Sequence, residues 1–151
     1  MKRSAGILFY KMIREEFQVL LIHPGGPFWA KKDEGAWSIP KGEVEENEDP
    51  EIAAKREAEE ELGIKIIKEM KALTPIKQKS GKLVMAWAVA MDIDVAAIKS
   101  NTFEMEWPPR SGKKQASPEI DKAAWFTTSE AGKKMIPAQL LLVKELEQLL
   151  K

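Results

Sequence analysis

Two apolar, β-prone runs open the chain, at 6–10 (GILFY) and 17–23 (FQVLLIH), with the polar KMIREE between them. They predict two strands of a hairpin joined by a longish turn. Residues 24–35 (PGGPFWAKKDEG) are rich in Pro and Gly and predict a loop, although it carries two large aromatics. A short strand is expected at 37–39, stopped by Pro40. The period then changes. Ala54, Ala58 and Leu62 recur at helical spacing and form a narrow apolar stripe that suits packing on a sheet. Asp49 fits an N-cap, Pro50 the first helical position and Gly63 the stop. Beyond it, 64–77 and 82–93 predict strands about a turn at 79–81, and 101–118 predicts irregular structure. A strand is expected at 123–127, a short helical turn from Ser129 and an amphipathic helix over 138–150. Together these predict one α/β domain over 1–151, a mixed sheet with helices on its faces.

Composition narrows the chemistry. The 151 residues suffice for one buried core, and the absence of cysteine excludes disulfides, Cys-based zinc sites and thiol nucleophiles. Lys+Arg and Asp+Glu balance at 24 each, so no global field draws the chain to duplex nucleic acid or a membrane. No apolar segment approaches the length of a membrane span and no signal-peptide pattern is visible, so a cytoplasmic protein is expected, as monomer or homodimer. A small anionic ligand held by local charges stays open.

The helix over 50–62 carries the sharpest signal. Glu57, Glu60 and Glu61 fall at i, i+3 and i+4, side by side on one face. Taken alone, EAEEE is also what a solvated face looks like. These acids, however, occupy the negative end of the helix dipole, where each is disfavoured by roughly 0.3–1 kcal/mol. Their mutual repulsion adds a few tenths of a kcal/mol per pair. A sequence that accepts both costs keeps a place for a cation. Carboxylates on a rigid helix, entered through a glycine loop, suit Mg²⁺ held against a phosphate.

The spacing from 42 to 64 is G-x5-E-x7-R-E-U-x-E-E-x-G-U, carried by Gly42, Glu48, Arg56, Glu57, Glu60, Glu61, Gly63 and Ile64, with U a bulky aliphatic residue. At every fixed position it resembles the Nudix box. Ala58 is the one soft departure, smaller than the usual occupant of its U slot. The resemblance implies an α/β/α sandwich with a mixed sheet and a Mg²⁺- or Mn²⁺-dependent pyrophosphohydrolase acting on nucleoside diphosphates linked to another group. It further implies that Glu57, Glu60 and Glu61 ligate metal along with the Gly42 carbonyl, and that Arg56 pairs with Glu48 to brace the loop. Glu57 is the expected general base, and catalysis is expected to rest on Glu57, Glu61, Arg56 and Glu48. Such sites often recruit a further acid from a later loop. Glu119 is the first candidate, ahead of Glu104 and Glu106.

The approach Pro40-Lys41-Gly42 is similar to that of dinucleoside polyphosphate hydrolases, although Glu43 replaces their usual His. Lys41 is expected to reach a distal phosphate as a mobile point charge. Trp29 is a candidate to stack a base, and Lys31, Lys32 and Arg110 are candidates to contact phosphate. Each has the alternative of an ordinary loop residue. Trp37 and His23 are expected to be structural. Dinucleoside polyphosphates lead the substrate readings, ahead of damaged nucleoside triphosphates and nucleotide sugars. An isoprenoid diphosphate isomerase would want a cysteine and a degenerate box. A non-catalytic nucleotide-binding module would usually have lost a box glutamate.

Overall fold

The computed structural model describes residues 2–98 and 102–150, so the stretch expected to be irregular begins, at Asn101, outside them. β1 (Arg3–Ile13) and β2 (Glu16–Pro24) form the expected hairpin, but not with the longish turn expected. Lys11, Met12 and Ile13 continue β1, and only Arg14 and Glu15, at φ 49° and 68°, make the turn. Direct pairing runs only from Tyr10 to Ile13. Nearer its start, β1 pairs antiparallel with β3 (Lys41–Glu43) through Ser4, Ala5 and Gly6. Between these registers the residues before β3 fill the gap. Ile7 N–H donates to Pro40 O at 3.1 Å, and Ile22 and Ser38 exchange backbone bonds of 2.8 and 3.0 Å. Gly6 permits this approach, because a Cβ there would lie 2.5 Å from Pro40 O. The split in the hairpin therefore delivers Lys41 and Gly42 to the middle of the sheet. Only isolated bridges, not a strand, form at Trp37 and Ser38.

α1 (Pro50–Leu62) has the ends its sequence predicts. Asp49 Oδ2 accepts from Ile52 N–H at 3.2 Å, and Gly63 adopts the left-handed conformation at φ 66°. The next segment departs from expectation. Residues 64–77 yield only β4 (Lys71–Ala72) and β5 (Ile76–Lys77), both antiparallel to β6 (Leu83–Ala90). Glu59 explains part of this, since its Oε2 takes the Ile66 N–H at 2.8 Å and ties the chain back to the helix end. The 102–118 region is likewise not irregular. It is an antiparallel hairpin of β7 (Thr102–Glu106) and β8 (Lys114–Pro118), a sheet of its own. Its TFEME alternation, with Phe103 and Met105 half-buried and their neighbours exposed, is a strand signal that the Pro and Gly of the turn had masked.

β9 (Ile120–Thr127) pairs with β2 and completes the main sheet, in the order β4-β6-β1-β2-β9. Only β6 runs parallel to β1, so the sheet is mixed. α2 (Thr128–Lys134) starts from a capping box between Thr127 and Glu130, and α3 (Leu140–Leu149) closes the described chain. The period of two along the central strands sorts the core into layers. Ala5, Ile7, Phe9 and Leu20 pack under Ala54, Ala58 and Leu62 of α1. Leu8, Val19 and Leu21 pack on the other face with Ala131, Leu142 and Leu146. The arrangement is the expected α/β/α sandwich. α3 lacks a side-chain N-cap, a loss of about 1 kcal/mol. Full burial of Leu142 and Leu146, at about 1.5–3 kcal/mol each, outweighs it.

Candidate metal and nucleotide site

The carboxylates of α1 meet the backbone of β3 at Gly42. A Cβ on Gly42 would fall on the carboxylate carbon and Oε2 of Glu57, so only glycine leaves room for that side chain. One turn further along α1, Glu61 Oε2 is buried with no hydrogen-bond partner among the described residues. Burial pushes the Glu61 carboxyl up to about 8, and the charges of Glu57 and Glu119 add to the shift. Glu57 is also raised, first by burial, with Arg56 opposing. Lys41 faces the same place. Burial pushes its ammonium down, with Lys82 adding to the effect and the Glu61 and Glu43 charges opposing it. Lys41, Glu61, Glu119 and Trp29 line one cleft of about 220 Å³.

Arg56 organises the outer side of this acidic face. Its Nε and Nη2 grip Glu48 Oε2 and Oε1 at 2.8 and 3.0 Å, and its Nη1 reaches Glu57 Oε1 at 3.0 Å and Glu60 Oε2 at 3.5 Å. Glu48 Oε1 also accepts the Glu45 N–H at 3.1 Å, which fastens the 43–48 loop to the helix. The guanidinium holds the Glu48 carboxyl below its usual range. Glu60 is the most exposed of the three box acids. α1 has no basic residue in its last turn, so nothing on the helix itself offsets its C-terminal dipole.

Glu119 is brought to the site by backbone contacts that the sequence did not announce. The Gly25 N–H donates to Glu119 O at 2.9 Å, and a Cβ on Gly25 would strike Pro118 O. The β2–β9 register also breaks between His23 and Pro24, just before this contact. Glu119 thereby faces Glu57 and Glu61 closely enough to raise both carboxyls. Glu104 and Glu106, the other loop candidates, lie on the β7–β8 hairpin, where Glu106 Oε1 accepts the Arg110 N–H at 2.6 Å.

The phosphate candidates separate. Lys41 is at the acidic face. Lys32 is not, because its Nζ sits 3.6 Å from the Phe28 ring centroid and 5.1 Å from that of Trp29. Lys31 and Arg110 are exposed, Arg110 at the tip of the β7–β8 hairpin, and neither contacts the acidic face among the described residues. His23 and Trp37 are buried, as expected of structural residues. The His23 ring nitrogens reach Asp121 Oδ1 at 2.8 Å and Lys32 O at 2.5 Å, and the Trp37 indole N–H reaches Asp33 Oδ1 at 2.8 Å. Gln139 was missed. Fully buried, it accepts the Ile39 N–H at 3.0 Å and donates to Ser38 Oγ at 3.1 Å, fixing the approach to Lys41.

In these side-chain conformations no three acidic or histidine groups among the described residues converge on one point, since Arg56 draws Glu57 and Glu60 toward itself. The donor set nevertheless fits a hard divalent cation. It consists of oxygens only, includes the orphaned buried Glu61 Oε2, and leaves the Gly42 backbone bare against Glu57.

A family model described as the NUDIX domain matches residues 2–146. The chain belongs to the NUDIX domain family. At that level it is a pyrophosphohydrolase. Solved structures share the fold at low identity. A Caenorhabditis elegans Ap4A hydrolase in a binary complex is 20% identical, with a TM-score of 0.66 over 99% of this chain and 98% of that one. The NUDIX domain of Shewanella oneidensis NrtR, complexed with ADP ribose, is 13% identical, with a TM-score of 0.66 over 99% of this chain and 88% of that one. A MutT/nudix family protein from Listeria innocua is 18% identical, with a TM-score of 0.63 over 99% and 93%. No helix among the described residues of this Nudix chain is long and apolar enough to cross a membrane.

Proposed function

We propose that this Nudix protein hydrolyses a diphosphate linkage in a nucleoside polyphosphate derivative, with dinucleoside polyphosphates as the leading substrates. The observation that carries the reading is Lys41. It lies half-buried in the cleft that Glu61 and Glu119 also line, one residue from Gly42. A cation beside the metal carboxylates, but not among the box residues, suits a phosphate beyond the cleaved linkage.

Glu57, Glu60, Glu61 and the Gly42 carbonyl are the proposed metal ligands, with Glu119 as the acid added from the β8–β9 connection. When bound, Mg²⁺ or Mn²⁺ neutralises the diphosphate and activates water for attack on phosphorus. Glu57 is the proposed general base, the group that takes the proton from the attacking water. It is held against Gly42 on one side and by Arg56 on the other, which limits its rotamers. Arg56 and Glu48 hold the 43–48 loop in register with the helix and act by positioning.

The test is a phosphate-release screen coupled to pyrophosphatase and phosphatase, with and without Mg²⁺. Its panel holds diadenosine polyphosphates, oxidised and ordinary nucleoside triphosphates and nucleotide sugars, ADP-ribose among them. Metal-dependent turnover led by the diadenosine polyphosphates, and lost in Glu61→Gln, supports the reading. Faster turnover of oxidised triphosphates or of nucleotide sugars moves the substrate class. Tight Mg²⁺-dependent nucleotide binding with no turnover favours a non-catalytic module.

A further inference from the structure

The β7–β8 hairpin stands apart from the main sheet, yet it presents its apolar face to the site. Phe103 and Met105, alternate residues of β7, line a second cleft of about 350 Å³ with Gly25, Phe28 and Trp29. That volume is at the lower end of the range for small-molecule sites. The cleft adjoins the acidic one, since Trp29, Pro24 and Glu119 line both. The contact between loop and hairpin is close. A Cβ on Gly26 would lie 2.9 Å from Phe103 Cζ, and Gly26 also sits at φ 97°, a conformation glycine takes readily. Phe28 is 52% exposed beside it. Phe28 and Trp29 meet edge to face with centroids 5.1 Å apart.

We infer that this cleft between Phe28–Trp29 and Phe103–Met105 is a nucleobase subsite, holding the base of the nucleotide whose phosphates lie at Lys41 and Glu61. The inference rests on the proposed nucleotide substrate and adds the hairpin as its specificity element. Its walls are the rings of Phe28, Trp29 and Phe103 and the Met105 thioether, with Lys32 Nζ 3.6 Å from the Phe28 centroid. Aromatic and thioether walls take the face of any base. It shares Pro24, Trp29 and Glu119 with the acidic cleft, where the proposed function puts the phosphates, so its occupant is the group attached to them. Phe103 is the residue that sets it, because it comes from an element outside the sandwich and touches the loop at Gly26.

Binding of adenosine 5′-monophosphate and of ribose 5-phosphate, followed by NMR titration on the intact protein with Mg²⁺, tests this directly. Neither ligand has a diphosphate bond to cleave, so the result does not depend on turnover. The expected outcome is that the monophosphate with its base binds more tightly, by roughly 5- to 150-fold, as one stacked base would contribute. Phe103→Ala and Met105→Ala should erase most of that difference and leave ribose 5-phosphate binding unchanged, while Phe103→Tyr retains it. Equal affinity of the wild type for both ligands overturns the subsite. So does an equal loss of both ligands in Phe103→Ala and Met105→Ala alike. If the base preference holds but no diphosphate is hydrolysed, the subsite stands and the hydrolase reading falls. If diphosphates are hydrolysed without base preference, the reverse is true.

Discussion

Arg56 grips both carboxylate oxygens of Glu48, Nε at 2.8 Å from Oε2 and Nη2 at 3.0 Å from Oε1, while its remaining nitrogen faces Glu57. The guanidinium thus joins the 43–48 loop to the acidic face of α1. Bidentate geometry needs the planar fork, and a lysine cannot supply it. Arg56→Lys should therefore lower Mg²⁺ affinity, on the order of 10- to 100-fold, with little change in thermal midpoint. Isothermal titration of the variant checks this. An unchanged affinity would remove the positioning role.

Glu61 makes the metal-free protein sensitive to alkali. Its folded carboxyl stands at about 8 against an ordinary 4.5. At acid pH it is protonated folded and unfolded alike. As pH rises from about 4.5 toward 8, the unfolded chain releases the proton and the folded one keeps it, so stability falls across that window and levels off above it. Urea midpoints with EDTA should drop between pH 5 and pH 9 in the wild type and drop less in Glu61→Gln. Saturating Mg²⁺ should flatten the wild-type slope, because it binds the ionised form.

Gly42→Ala and Gly132→Ala should act in opposite directions. A methyl at Gly42 lands on the Glu57 carboxylate, whereas one at Gly132, inside α2, meets nothing within 4 Å. The first should push the Glu57 carboxylate off the Gly42 backbone and abolish most turnover, at a small cost in stability because that carboxylate ends a flexible side chain. The second should stabilise by about 0.5–1 kcal/mol and leave turnover alone. Denaturation curves and initial rates on the two variants decide it.

Gln139→Leu removes the acceptor of the buried Ile39 N–H. The loss should be about 1–3 kcal/mol by denaturant unfolding. It should also raise KM more than it lowers kcat, since the segment it releases carries Lys41. A variant with normal KM would confine Gln139 to stability.

Lys41→Ala should weaken polyphosphates more than a plain diphosphate, as expected of a cation that meets a phosphate beyond the cleaved bond. Competitive inhibition by inorganic tripolyphosphate and pyrophosphate, compared in wild type and variant, measures the difference. Equal losses on both would place Lys41 at the cleaved linkage instead.

What the sequence determined by itself was local. α1, its Asp49 cap and its Gly63 stop follow from propensity and capping. The register of Glu57, Glu60 and Glu61 follows from helical periodicity. A mixed sheet with helices on its faces follows from the apolar runs and amphipathic helices, and the α/β/α sandwich is what the resemblance to the Nudix box implied. Tertiary structure decided what depends on chain segments far apart. The splitting of β1 from β2 carries Lys41 and Gly42 under α1. A backbone bond from Gly25 brings Glu119 to face Glu61. Gln139 reaches Ile39 across 100 residues of chain. Lys32 turns onto Phe28 and Trp29, and TFEME becomes a strand whose apolar face meets the 25–29 loop. None of these is a property of a short window. Each is a close approach between elements, fixed by which backbone groups find partners and where glycine leaves room.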